Sequence, residues 1–174
     1  MIFEKYLIPD EMVERFEIVT PEHLKSLGKK YIICDIDNTL ATYDDPTPPE
    51  NVVAWCRNMN ENGVTVAFVS NNHEERVTLF NKTFGYVAYA DSHKPGTKKL
   101  KQAMRDLGAT VENAVLLGDQ LLTDAAAAKS AGLYCIIVPP IKDKKNLFFR
   151  LKRWLEIPYV ERYKRNRRTH GGEH

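Results

Sequence analysis

An α/β fold with a parallel sheet is the class that this 174-residue sequence predicts, and three observations predict it. Five short apolar runs are mostly continuous rather than alternating, as expected of strands covered on both faces. A helical stretch separates each from the next, and strict alternation of strand and helix means a parallel sheet. Gly63, Gly85, Gly108 and Gly132 each follow a helical stretch, where a stop residue is wanted. The expectation is a Rossmann-like three-layer sandwich around a central five-stranded parallel sheet.

Thr20, Pro21 and Gly28 frame a short helix, with Thr20 as N-cap and Pro21 in the first turn. Residues 1–28 are expected to pack against the sheet. The strands then read Tyr31–Asp37, Thr65–Asn71, Tyr86–Ala90, Ala114–Asp119 and Tyr134–Pro139. The helices read Glu50–Asn62, Glu74–Phe84, Gly96–Leu107 and Leu121–Ala131. Pro46, Pro48 and Pro49 make the Asp44–Glu50 segment a stiff, extended loop. The domain expected from this order covers residues 1–141, followed by an extension over 142–174.

Composition sets limits on function. The apolar fraction of 43% and charged fraction of 28% are those of a soluble globular domain able to bury a core. Cys34, Cys56 and Cys135 form no C-x-x-C pair, so no zinc site follows, and reduced core thiols in a cytoplasmic protein are expected. The longest apolar stretches fall short of the ~20 residues of a membrane span, and the N-terminus lacks the pattern of a signal peptide. Charge is segregated: residues 142–168 hold 11 Lys/Arg and 3 Asp/Glu, a local +8, against −6 for the rest. A basic extension of that kind suits a polyanionic surface.

The chemistry is concentrated at strand ends. Asp35 and Asp37 close the apolar run from Tyr31 to Leu40. Like charges so near raise each other's pKa unless something positive compensates, and a divalent ion such as magnesium suits hard carboxylate oxygens. In open parallel sheets, ligands bind at the carboxyl ends of strands. There the sequence also delivers Ser70, Asn71 and Asn72, then His93 and Lys94, then Asp119 and Asp124. Such a set suits phosphoryl transfer: one carboxylate as nucleophile, another for proton transfer, a metal between anions, and Ser70, nearby backbone amides and Lys94 on the phosphate. Plainer readings compete. Ser70 can be a turn residue, Asp124 a helix cap, and Lys98 competes with Lys94. His73, His93, Asp44 and Asp45 read as surface groups, while Asn38 and Thr39 hold the loop or the phosphate.

These residues carry a resemblance. Asp-Ile-Asp-Asn-Thr-Leu at 35–40, Ser70 after an apolar strand, Lys94, and Gly-Asp-Gln-Leu-Leu-Thr-Asp at 118–124 resemble motifs I to IV of the haloacid dehalogenase (HAD) superfamily, in order. The resemblance implies Asp35 as nucleophile and Asp37 as general acid/base. It further implies magnesium held by Asp35, the Asp37 backbone carbonyl and Asp119, with Asp124 supporting, and phosphate bound by Ser70, Asn71 and Lys94. Leu-Ile-Pro-Asp-Glu at 7–11, Thr-Pro-Glu-His-Leu at 20–24 and the Gly-Asp-Gln form of the fourth motif resemble the YqeG-like, subfamily IIIA branch, which is similar to the phosphatidylglycerophosphate phosphatases. Only 32 residues separate Asp37 from Ser70 and 23 separate Ser70 from Lys94, so no cap domain fits. An open mouth suits a large or surface-held substrate, lipid being the leading expectation and a soluble nucleotide, sugar phosphate or phosphoprotein the alternative.

In the extension, Leu147, Phe148, Leu151, Trp154 and Leu155 make one helical stripe with Arg150, Lys152, Arg153 and Glu156 around it, and Pro158 is expected to end the helix. Packing on the sheet and lying at an anionic membrane surface are both open to this stripe. Arg162, Lys164, Arg165, Arg167 and Arg168, interleaved with Tyr159 and Tyr163, also suit RNA, and a further alternative is a module that binds RNA, a ribosome or a GTPase with catalysis secondary. Residues 164–174 read as a solvated, disordered tail.

Overall fold

A computed structural model describes residues 4–142 and 147–170; within these, the side chains of residue 4, of 147–153 and of 168–170 lie outside the description. The elements, in order, are α1 (Glu4–Leu7), β1 (Glu11–Met12), a 3-10 turn (Phe16–Ile18), α2 (Pro21–Ser26), β2 (Tyr31–Cys34), α3 (Glu50–Glu61), β3 (Thr65–Val69), α4 (Glu74–Asn81), β4 (Ala88–Tyr89), α5 (Lys98–Leu107), β5 (Ala114–Gly118), a π-type turn (Leu121–Ala125), α6 (Ala126–Ala131), β6 (Tyr134–Ile137) and α7 (Leu147–His170).

The sheet has six parallel strands rather than five, in the order β1-β6-β5-β2-β3-β4. The added strand is β1, whose two residues are too short to show a periodicity, and which pairs Glu11 with Ile136 and Met12 with Ile137. Residues 4–28 thus join the sheet as well as pack on it. The predicted strands are otherwise present but shorter, and after β2, β3 and β5 the polar residues beyond the ladder form the site.

Alternation along each strand divides two apolar layers. Ile32, Cys34, Val66 and Phe68 meet Trp55 and Met59 of α3 and Val77 and Phe80 of α4. Ile33, Ala67, Val69, Leu116 and Cys135 meet Leu100 and Met104 of α5 and Ala127 and Ala128 of α6. All three cysteines are free and buried. Thr20 caps α2 by accepting the His23 N–H at 3.2 Å, and α5 and α6 end on Gly108 and Gly132 in left-handed backbone, as the sequence predicts.

Three expectations for the extension are corrected. The helix α7 runs through Pro158 instead of stopping there. The carbonyl that proline leaves without a donor is that of Trp154, a residue 66% exposed, so water can serve it. Residues 164–170 are helical, while 171–174 lie outside the described residues. The face that docks is Glu156, Tyr159, Val160 and Tyr163, at helical spacing. Glu156 and Tyr163 are buried, Tyr159 and Val160 pack against the α5–α6 layer, and the Tyr163 hydroxyl accepts the Met12 N–H at 2.9 Å. Of the stripe read from sequence, Trp154 and Leu155 are exposed, and the side chains of Leu147, Phe148 and Leu151 lie outside the described residues.

The register builds the site. Cys34 of β2 pairs with Leu117 of β5 and with Phe68 of β3, so the residues just beyond these three strands stand side by side. The chain steps from β2 to β3 and β4, then returns to the other side of β2 as β5, and this reversal is where parallel sheets open a crevice. Phe68 anchors that edge. It is fully buried and its ring meets those of Phe80, Phe84 and Tyr86 at 5.5–5.7 Å. Phe68→Ala is expected to cost about 3–5 kcal/mol in urea unfolding of the metal-free protein, and Phe68→Leu much less. Similar midpoints for the two variants would contradict this account of the core.

Candidate active site

Asp35, Asp37, Ser70, Asn71, Lys94 and Asp124 line one cleft of about 420 Å³ at the carboxyl ends of β2, β3 and β5. Asp119 adjoins it: carboxylate oxygens of Asp35, Asp119 and Asp124 lie within 4.8 Å of one another, all three residues buried. The residues singled out in the sequence are thus gathered in one place.

Lys94 holds the acidic groups together. Its Nζ donates to Asp35 Oδ1 at 2.7 Å and to the Val69 carbonyl at 2.8 Å, and it pairs with Asp124 Oδ1 at 2.7 Å. Burial alone would lower the ammonium pKa, but Asp124 and Asp35 more than reverse this and hold it above its ordinary value. Asp35 moves the other way in spite of Lys94. Burial, aided by Asp124 and Asp37, pushes its carboxyl from 3.8 up to about 7. Thr39 Oγ1 donates to the other Asp35 oxygen at 3.2 Å. The competitor Lys98 begins α5 and is exposed.

The Lys94 loop is fixed by Asn71. Its Oδ1 accepts from the Lys94 N–H at 2.6 Å and from Ser92 Oγ at 2.7 Å, and its Nδ2 donates to the Lys94 carbonyl at 3.0 Å. The side chain of Asn71 therefore clamps the loop that carries the lysine, where the sequence reading assigned it to phosphate. The Ser70 hydroxyl faces the cleft and accepts the Asn72 N–H at 3.0 Å.

Asp37 lines the cleft but turns its carboxylate toward α4. Asn72 Nδ2 donates to Oδ2 at 3.0 Å, and Arg76 Nε and Nη2 reach Oδ1 at 3.2 and 3.1 Å. Arg76 also donates to the carbonyls of Pro46 and Thr42, which ties the proline loop to the site. Sequence reasoning missed Arg76, since one arginine on a helix with two leading glutamates carries no motif. Tyr43, also missed, lines the mouth, and burial followed by the nearby aspartates raises its hydroxyl pKa. Asn38 adopts left-handed backbone (φ 66°) and donates its N–H to the Ala41 carbonyl, so the chain folds back directly after the aspartates.

Asp124 depends on a glycine and on an irregular turn. Its Oδ2 accepts the N–H groups of Asp119 and Gln120 at 3.3 and 3.1 Å, which makes it a brace for the preceding backbone as well as a partner of Lys94. A side chain at Gly118 would place its Cβ 2.4 Å from Asp124 Cβ and Cγ, so only glycine admits this approach. The helix expected from Leu121 begins instead as the π-type turn 121–125, a form found at functional sites because it re-aims side chains.

Three hard carboxylate oxygens so close repel one another, and together they are the donor set that a magnesium-sized cation prefers. The residues therefore fit a divalent metal. Asp37 contributes no carboxylate oxygen to this group of three; Asp124 does.

Comparison with known proteins agrees with the geometry. The family model described as haloacid dehalogenase-like hydrolase matches residues 4–132. The chain is 35% identical over 164 residues to the probable phosphatase YqeG of Bacillus subtilis (strain 168), covering 94% of this chain and 95% of that protein. Among solved structures, an uncharacterized protein from Listeria monocytogenes serotype 4b superimposes with a TM-score of 0.54 at 20% identity, over 67% of this chain and 84% of that one. The cobalt-bound deoxy-D-mannose-octulosonate 8-phosphate phosphatase YrbI of Haemophilus influenzae gives 0.51 at 14% identity, over 78% and 91%. At such identities the two structures speak for the fold, and the family match and the relative speak for the chemistry. By that measure the chain belongs to the haloacid dehalogenase-like hydrolases, in their YqeG-like branch, and is an enzyme of the phosphatase type.

Proposed function

We propose that this phosphatase hydrolyses phosphomonoesters through an aspartyl-phosphate on Asp35, with magnesium as cofactor and phosphatidylglycerophosphate as substrate. The observation that carries the reading is the convergence of Asp35, Asp119 and Asp124, the first and last of them paired with Lys94, beside a cleft that also presents Asp37 and Ser70. An Asp35 oxygen attacks phosphorus and the bond to the leaving oxygen breaks, with Asp37 giving that oxygen a proton. Asp37 then takes a proton from water, whose oxygen attacks the same phosphorus. The Asp35–phosphorus bond breaks, and inorganic phosphate leaves with Asp35 restored. Lys94 and Ser70 hold phosphoryl oxygens as charge develops, and Asn71 acts by keeping Lys94 in place.

Asp35, Asp119 and the Asp37 main-chain carbonyl are the proposed metal ligands, with Asp124 beside them. Bound there, a divalent cation supplies neutralising charge that lets a phosphate approach carboxylates. The lipid substrate draws on the resemblance to phosphatidylglycerophosphate phosphatases and on the lack of a cap-sized insertion over the cleft among the described residues. It draws also on α7, where Trp154, Leu155 and Ile157 are exposed alongside Arg162, Lys164, Arg165 and Arg167. Such a face suits peripheral binding to an anionic inner-membrane surface from the cytoplasm. Among the described residues, no helix is long and apolar enough to cross a membrane.

The decisive measurement is phosphate release with magnesium from phosphatidylglycerophosphate in mixed micelles, set beside soluble nucleotide, sugar and protein phosphates. The lipid is expected to give the highest kcat/KM, and Asp35→Asn to lose roughly 10³-fold or more while staying folded. Preference for a soluble ester would remove the lipid; no turnover of any ester, with salt-sensitive RNA binding, would remove the hydrolytic role. Gly118→Ala should displace Asp124, and more than a tenfold loss of activity is expected, in line with the cost of misplacing groups around a metal. Wild-type activity in Gly118→Ala would show that Asp124 need not lie where it does.

Metal binding should depend on pH through Asp35. Its folded pKa of about 7 lies above its ordinary 3.8, so the folded metal-free protein retains a proton that the unfolded chain has released. That contribution to stability is present at low pH and is lost as pH rises through about 7. Magnesium must displace the same proton. The rise in Tm on adding magnesium is therefore expected to be larger at pH 8 than at pH 5.5, and calorimetry should show more proton release to the buffer at pH 5.5 than at pH 8. Equal rises at the two pH values would contradict the displacement of a proton from Asp35 by the metal.

A further inference from the structure

The helix α7 reaches the acidic cluster through one buried carboxylate. Glu156 is 3% exposed and accepts the Leu122 N–H at 3.1 Å, across 34 positions of sequence. Leu122 is the second residue of the π-type turn that carries Asp124, three residues after Asp119. The opening N–H groups of a helical segment have no partner within it. Here Gln120, at the cap position, makes no side-chain cap bond. The missing acceptor comes from far along the chain, and a carboxylate suits the positive end of a helical segment.

We propose that Glu156 is a positioning residue: by accepting the Leu122 N–H it fixes the start of the 121–125 turn and, through it, the placement of Asp119 and Asp124. A buried carboxylate beside an acidic cluster is costly, and an apolar side chain would fill the space more cheaply if packing were all that mattered. Two carboxylates brace the opening of the turn. Asp124 Oδ2 accepts from the N–H groups of Asp119 and Gln120, just before the segment, and Glu156 accepts from Leu122, two residues beyond Gln120, from outside it. Glu156 shares with Asp119 and Leu121 the wall of an apolar groove of about 770 Å³, so the helix and the metal-binding edge are physically continuous. The helix itself is held by Tyr159, Val160 and Tyr163, which gives the brace a fixed base.

The test uses the full chain with Glu156→Ala, Glu156→Gln and Tyr163→Phe. Amide exchange across 119–125 is measured without metal, magnesium affinity by calorimetry, and kcat and KM with an aryl phosphate. Glu156→Ala is expected to speed exchange at Leu122, weaken magnesium about tenfold and lower kcat with KM little changed. Glu156→Gln, whose amide oxygen still accepts the N–H, should stay within about twofold of the parent in all three. Tyr163→Phe removes the bond to Met12 but keeps the buried ring that seats the helix, so it should lower Tm while leaving magnesium affinity alone. The proposal is overturned if Leu122 exchange or magnesium affinity is unchanged in Glu156→Ala. It also fails if the Gln variant falls with the Ala variant, or if Tyr163→Phe weakens magnesium equally. The kinetic arm rests on the phosphatase reading above and the magnesium arm on the metal site proposed with it, whereas amide exchange rests on neither. Loss of magnesium affinity in Glu156→Ala, in a chain that turned over no ester, would sink that reading and uphold this one.

Discussion

The buried ammonium of Lys94 is the constraint on which the rest depends. Carboxylates from β2 and from the turn after β5 meet at one edge of the sheet, and each would drive the others apart in a dry setting. A cation inside the cluster makes the arrangement tolerable, because it donates to Asp35 and to the Val69 carbonyl and forms an ion pair with Asp124. These contacts hold the lysine and the carboxylates around it together. A point charge on a flexible stem would ordinarily wander; here Asn71 pins the backbone at its root and Asp35 and Asp124 pin its tip.

Around that centre, each acidic group is held by a neighbour of its own. Arg76 and Asn72 turn Asp37, Thr39 touches Asp35, and Asp124 braces the backbone that leads to it. These ties come from α4, from the loop after β2 and from the end of β5. Adjacent strands bring the segments together, and loops of fixed shape finish the placement. The two steps divide the work between the sheet, which is stiff, and short polar contacts, which set angles.

The fold was legible because continuous apolar runs and helical stretches alternate, and because Asp35, Ser70, Lys94 and Asp119 each stand just past such a run. Choosing Lys94 over Lys98 was also legible, since Pro95 marks a loop while Lys98 falls at the start of a helix. What escaped was long-range. The strand Glu11–Met12 has too few residues to show a period. Arg76 and Glu156 act across 39 and 34 positions, and nothing local distinguishes them from solvated charges. Asn71 was found, but its partners were not, because an amide can serve an anion or a loop equally well. Tyr159 and Tyr163 read as aromatic residues among arginines, and only the docked helix separates their face from the basic one.

The sheet closes with a two-residue strand at either border, β1 on one side and β4 on the other. An open border is a template on which a second polypeptide can add a strand, and a long flat one invites fibrils. Borders this brief offer almost no ladder to extend. On the β1 side, moreover, the Met12 N–H is already taken by the Tyr163 hydroxyl. Neither flank therefore offers much backbone for β-pairing with a second chain, while the strand ends stay open at the cleft.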